Sequence, residues 1–219
     1  MSDPGVADGE VVEEPNVHDH VPASVGGMGG HLLRRTVHLA IVLVPVLYYW
    51  WGDSIAATID IPVRMIASII GFTVLVMEGV RLRTGLVVYG QREYEARQPS
   101  ALFWGVFSIS LTVLIAPEAG VAGAAYGAPV IWSLAIVDPA LGEARRYGVG
   151  ERQTVVLGFV LTTAIWLFAA FALGTPAFLA PLIAAITVAA ERPRLTWLDD
   201  NGAMVLAPLA FIVLVSPFL

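Results

Sequence analysis

The sequence predicts an all-α integral membrane protein, a polytopic bundle of about seven transmembrane helices with a cytoplasmic N-terminus. Three observations carry that expectation. Hydrophobic residues make up 57% and charged residues only 14% of the 219 positions, and the mean hydropathy is +0.76. Soluble domains are about 45–50% apolar, so these few charges are too few to cover a water-facing surface. The apolar residues also gather into long runs separated by charged stretches, and the arginines fall overwhelmingly on alternate loops.

Residues 1–30 stand apart. They are acidic, rich in Pro and Gly and nearly free of large apolar side chains. Such a segment buries too little surface to offset its ordering entropy and is expected to form a disordered tail, with His18 and His20 solvated. It lacks the basic start and apolar run of a signal peptide. Residues 31–219 form the helical domain, with spans expected at 36–51, 61–81, 101–116, 121–137, 154–173, 176–190 and 203–218. The third and fourth are joined by PEAG and read as an antiparallel hairpin. Pro45, Pro129, Pro181 and Pro208 lie in or near spans, where kinks are tolerated. No inverted repeat is visible, which disfavours a repeat-built transporter.

Arginine sets the orientation. Arg34, Arg35, Arg81, Arg83, Arg92, Arg97, Arg145, Arg146, Arg152, Arg192 and Arg194 fall on one side of an alternating count, and only Arg64 on the other. That is the positive-inside pattern. All 12 basic residues are Arg. Without lysine there is no Schiff-base chemistry and no P-loop lysine. Without cysteine there is no disulfide, thiolate nucleophile or thiolate-held metal.

The ionisable residues near spans cluster toward the cytoplasmic ends. His38 lies a turn past Arg34 and Arg35. Glu78 and Arg81 are three apart on one helix face, where opposite charges pair. Asp138 is expected to end the fourth helix before Pro139. Asp199, Asp200 and Asn201 open the last. Each has a bland explanation, as a helix cap, a local ion pair or a topology signal. Several carboxylates and arginines at one depth ask for more, because ionisable groups in membranes are costly and usually functional. Carboxylates with guanidinium groups suit a metal-bound polyphosphate, since Mg²⁺ takes oxygen ligands and Arg binds phosphate bidentately.

The ordered stretches RRTVHLA, EGVRLRTG, REYEARQPSALFW, IVDPALGEARRYG and DDNGAMVLAPL resemble those of the CTP-dependent polyprenol kinases, the dolichol kinase and phytol kinase relatives, from about residue 31 onward. The matched positions are Arg34, Arg35 and His38; Glu78 and Arg81; Arg92, Glu93 and Glu95; Asp138, Pro139 and Gly142; and Asp199, Asp200, Asn201 and Pro208. The resemblance implies transfer of the γ-phosphate of CTP to a long-chain isoprenoid alcohol at the cytoplasmic face, with Mg²⁺ as cofactor. On that reading Asp138, Asp199 and Asp200 bind the metal or orient the alcohol, and one of them acts as base. Arg81, Arg145 and Arg146 hold the triphosphate, Glu78 orients Arg81, and Arg34, Arg35 and His38 line the phosphate side. Asn201 holds a base, sugar or metal-bound water. The expected partners are a nucleoside triphosphate, the alcohol and the bilayer, with no nucleic acid. The alternatives are a related lipid cytidylyltransferase, and a catalytically degenerate paralogue acting as a membrane carrier or scaffold.

Overall fold

The computed structural model describes residues 24–193, 195 and 197–219; most of the acidic tail, with His18 and His20, and Arg194 lie outside them. Nine α-helices form among the described residues: α1 Gly27–Ala40, α2 Leu43–Tyr49, α3 Gly52–Ile59, α4 Val63–Thr84, α5 Ala101–Ile115, α6 Gly127–Arg146, α7 Glu151–Leu173, α8 Leu179–Glu191 and α9 Asp200–Val215. No named strand is found there.

The core lies where α5, α6, α7, α8 and α9 meet. Val130, Ile131, Leu134, Trp166, Ile183, Val205 and Ile212 are fully enclosed in it. The outer helices present the opposite character. Ile70, Phe72, Leu75, Met77 and Val80 of α4 and Leu167, Phe168 and Phe171 of α7 are exposed. Contiguous apolar surface on that scale is unstable in water and is what lipid tails solvate, so the chain is a helical membrane protein. Four segments are long and apolar enough to cross a bilayer: Gly27–Tyr49, Val63–Thr84, Glu151–Leu173 and Asp200–Phe218. Helices α5 and α8 are shorter apolar helices, and α6 carries Asp138, Glu143, Arg145 and Arg146 in its C-terminal third. Length and composition therefore support four of the roughly seven expected spans.

Three expected boundaries move, each for a physical reason. The first span is two helices, α1 and α2, separated at Ile41 and Val42. Pro45 lacks an N–H for the Ile41 carbonyl and its ring would clash with that carbonyl; Val44 N–H instead donates to Ile41 over a shorter turn at 3.0 Å. Helix α1 also starts at Gly27, inside the segment expected to be tail. Val25 donates to the Gln91 carbonyl at 2.8 Å and Gly90 donates back to Val25 at 2.9 Å, so a loop far along the chain anchors this entry. Finally, α6 does not stop at Asp138. It runs through Pro139 to Arg146, because α6 is buried against α1, α7 and α9 over most of its length, and that packing outweighs a local proline penalty of about 3 kcal/mol. Asp138 and Gly142 thereby share one side of a continuous helix, one turn apart, with Glu143 next along it.

The polar contacts sort to two ends. Arg64 lies at one, pairing with Glu118 at 3.4 Å and donating to the Leu114 carbonyl at 2.7 Å. The other ion pairs among the described residues lie toward the opposite end, joining α1 to α6 and to the loop after α4, and α6 to the start of α7 and the end of α8. The chain has no native cysteine, so single cysteines report sidedness cleanly. Tyr147→Cys and Val121→Cys, both at exposed positions, are expected to react with an impermeant maleimide from opposite faces of sealed vesicles. Labelling of both from one face would overturn the alternating topology.

Candidate functional site

The polar end is built around α1. His31, Arg35 and His38 follow at spacings of four and three and so lie along one face. That face meets α6 and α9. The Arg35 guanidinium lies 3.6 Å from Asp138 Oδ2 and donates to Glu143 Oε1 at 3.1 Å. His31 Nε2 reaches the same Glu143 oxygen at 2.9 Å. A Cβ on Gly142 would stand 2.2 Å from an Arg35 nitrogen, so the glycine of the Asp–Pro–x–x–Gly stretch gives Arg35 its passage along α6. Burial works to raise the Glu143 pKa, but the His31 hydrogen bond and the Arg35 charge hold it below the usual carboxylate range.

One turn further in, His38 Nε2 lies 3.2 Å from Asn201 Oδ1 and 3.4 Å from Asp138 Oδ2. Two facing oxygens assign the proton to Nε2, which leaves Nδ1 as the acceptor of the ring. Nδ1 is buried without a partner. Asn201 spends its amide on Asp199 Oδ2 at 3.0 Å and the Ala101 carbonyl at 3.4 Å. Residues from three distant segments therefore close one network: His38, Asp138 and Asn201.

Capping does not explain Asp199. It occupies the N-cap position of α9, yet its side chain makes no cap hydrogen bond; it accepts from Asn201 Nδ2 instead. Asp200 Oδ1 accepts the Asn201 N–H at 2.9 Å. Burial, and then the adjacent Asp200 charge, push the Asp199 carboxyl up to about 8. The charges opposing that rise come from Arg34 and Arg92, which places both guanidinium groups within electrostatic reach of the acidic pair. Arg34 also lies 3.5 Å from Glu95, and Arg92 sits against the Tyr94 hydroxyl and ring.

Other expected site residues are engaged elsewhere. Arg81 donates to both Glu78 oxygens, at 2.8 and 2.7 Å, and to the carbonyls of Leu86, Glu95 and Gln98. Those five bonds use all five guanidinium N–H groups. Glu78 in turn accepts from Ser100 N–H at 2.6 Å and from the Ser100 hydroxyl at 3.2 Å. The Glu78–Arg81 pair is thus a clamp on residues 85–100 and has no donor left for a triphosphate. Arg145 likewise grips Glu191 through both terminal nitrogens, tying α6 to α8. Arg146 reaches Glu143 at 3.4 Å.

Mg²⁺ fits this end in one mode. Among the described residues no group of three or more His, Asp or Glu side chains is arranged to hold a cation. The expected trio is not assembled, because Asp138 is committed to Arg35 and His38. Asp199 and Asp200 remain as two adjacent carboxylates crowded enough to retain a proton, which is the one-or-two-carboxylate set that Mg²⁺ takes when substrate phosphates and water complete its shell. The motif positions give no role to His31, Glu143 or Ser100, whereas Arg92 and Glu95 belong to the matched Arg–Glu–x–Glu stretch. The four- and three-residue spacing of His31, Arg35 and His38 was the available signal for the first of the two histidines.

Two outcomes are expected. Arg81→Ala leaves Glu78 buried without its cation, a loss of about 3–5 kcal/mol for such pairs. It should lower the melting temperature and open residues 85–100 to limited proteolysis, while Arg83→Ala, at an exposed position, does neither. For Asp199, a folded pKa of about 8 against an ordinary 3.8 means that the fold holds a proton the unfolded chain has released. Its contribution to stability is full below the ordinary value and is lost as pH rises through about 8. Without divalent cations, the detergent-solubilised protein should therefore melt at progressively lower temperature across that window, and Asp199→Asn should flatten the trend.

No family model, characterised protein or solved structure matches this chain.

Proposed function

We propose that the protein is a membrane lipid kinase that transfers the γ-phosphoryl group of CTP to a long-chain isoprenoid alcohol at its cytoplasmic face, within a bundle of about seven spans. The observation that carries this reading is the meeting of the His38–Asp138–Asn201 network with the Asp199–Asp200 pair, Arg34 and Arg92 at one end of an apolar bundle. Neither helix capping nor topology requires that convergence. The motif resemblance supplies the nucleotide and the acceptor class.

The chemistry follows from charge. Phosphoryl transfer depends mainly on positioning and on stabilising charge spread over the phosphate oxygens. Arg34 and Arg92 serve as the guanidinium donors for the triphosphate, in place of the committed Arg81 and Arg145. Asp199 and Asp200 are the residues that would hold Mg²⁺, which would supply charge neutralisation on the phosphates. Arg35 and His38 hold Asp138 in place, and Asn201 couples that network to Asp199. The alcohol oxygen attacks the γ-phosphorus and gives up its proton to a carboxylate of this acidic end, the bond to the β-phosphate oxygen breaks, and CDP leaves.

The test is a reconstituted assay with Mg²⁺, CTP or ATP, and an isoprenol. Wild type is expected to form polyprenyl phosphate and CDP. Asp200→Asn and Arg34→Ala should each cut the rate by about a hundredfold or more, the usual cost of removing one group that stabilises transition-state charge. Release of pyrophosphate would instead mark cytidylyl transfer. The kinase reading falls if no combination yields a phosphorylated lipid.

A further inference from the structure

A groove of about 390 Å³ runs between α1–α2, α4 and α5. Its length is lined by Ile41, Val44, Ile66, Ala67, Gly105 and Ile109, with Tyr48 near one end and Arg34, His38 and Glu95 at the other. Along α5 it extends from Ala101 to Val113, which is about 18 Å at 1.5 Å per residue and more than half of a hydrocarbon core about 30 Å thick.

Two features say what it is built to hold. The first is Gly105. It lies buried within α5, and a Cβ there would meet no atom within 4 Å. A buried helical glycine usually permits close packing, as at Gly71, where a Cβ would come within 3.1 Å of Ser110. Gly105 permits no such contact and is a weaker helix former than alanine. What its missing side chain leaves is space. The second feature is a pair of orphaned polar atoms at the mouth. His38 and Glu95 are only 6% and 2% exposed, yet His38 Nδ1 and Glu95 Oε2 have no hydrogen-bond partner. Buried polar atoms are normally paired, and here both belong to residues that line the polar end of an otherwise apolar channel.

We propose that this groove binds the hydrocarbon chain of a single-chain isoprenoid alcohol, with the hydroxyl held at His38 and Glu95, and that Gly105 sets the width of chain admitted. The inference rests on the kinase reading for the identity of the alcohol. The hydroxyl donates to His38 Nδ1 or Glu95 Oε2, supplying the absent partner, and its oxygen then stands at the edge of the Asp138–Asn201 network. The chain runs toward Tyr48, and its apolar surface replaces water or lipid in the groove.

The test needs no turnover. A diazirine analogue of geranylgeraniol is irradiated with the full-length protein in phosphatidylcholine vesicles, without nucleotide, and the adducts are mapped by mass spectrometry. Adducts are expected within residues 37–48, 63–70 and 101–113. Unlabelled geranylgeraniol should compete, and dioleoylglycerol should not. Gly105→Leu, whose Cβ enters open space, should reduce labelling by about tenfold with an unchanged melting temperature; Gly105→Ala, the smaller plug, gives an intermediate loss and serves if the leucine variant does not fold. Equal labelling of wild type and both variants, equal competition by dioleoylglycerol, or adducts confined to the outer face of α7 would overturn the groove. The two readings fail separately. Groove labelling without any phosphorylated product leaves the groove and removes the kinase. Phosphorylation with a KM for the alcohol untouched in Gly105→Leu leaves the kinase and removes the groove.

Discussion

Asp138 sits nine-tenths buried in a helix that faces other helices, and an ionised carboxylate there is tolerable only if cations and donors surround it. Arg35 and His38 supply that environment from α1, and Asn201 joins it from α9. The polar end follows from this one requirement. Once α1 must lie against α6 to neutralise Asp138, Glu143 comes within reach of His31 and Arg35. Asn201 comes within reach of His38, and Asp199 and Asp200 are drawn to the same depth. Small residues make the approach possible. Gly142 yields its side-chain volume to the Arg35 guanidinium, so charge pairing and packing are satisfied by the same contact.

The same constraint divides the arginines into two kinds. Arg81 is saturated by its carboxylate and carbonyl acceptors and Arg145 is paired through two nitrogens with Glu191, so both serve the fold. Arg34 and Arg92 face an acidic pair that retains a proton; a bound polyanion with its cation would relieve that crowding. A guanidinium also does what an ammonium cannot at Arg81, because only a five-donor planar fork can serve five acceptors at fixed angles. The lysine-free composition is in keeping with that use of arginine.

The fold class was legible because composition and periodicity speak directly about solvent. Helix ends were less so, since they depend on tertiary choices. Pro45 broke a span, whereas Pro139 did not, and nothing local distinguishes the two: α6 is enclosed by α1, α2, α5, α7 and α9, and α2 is far less enclosed. At the site, the meeting of His38, Asp138 and Asn201 was legible from their shared depth. Their individual partners were not. Glu78–Arg81 resembled a ligand pair and is a clamp, because its true acceptors are loop carbonyls that sequence spacing does not reveal. Gly105 carried no signal at all, for its meaning lies in what is missing around it.

The Arg81 clamp has one more consequence. Its three carbonyl acceptors are spread across residues 86–98, and its carboxylate partner also fixes the backbone of Ser100. A connection whose regular structure is one short 3₁₀ helix, Glu93–Arg97, would ordinarily fluctuate independently of its neighbours and exchange its amides quickly. Here the loop cannot lift without stripping three acceptors from a buried cation and two donors from its carboxylate partner, so its opening and the fraying of the last turn of α4 are a single cooperative event. The mouth of the groove, which depends on Glu95 in that loop, therefore inherits the rigidity of a membrane helix.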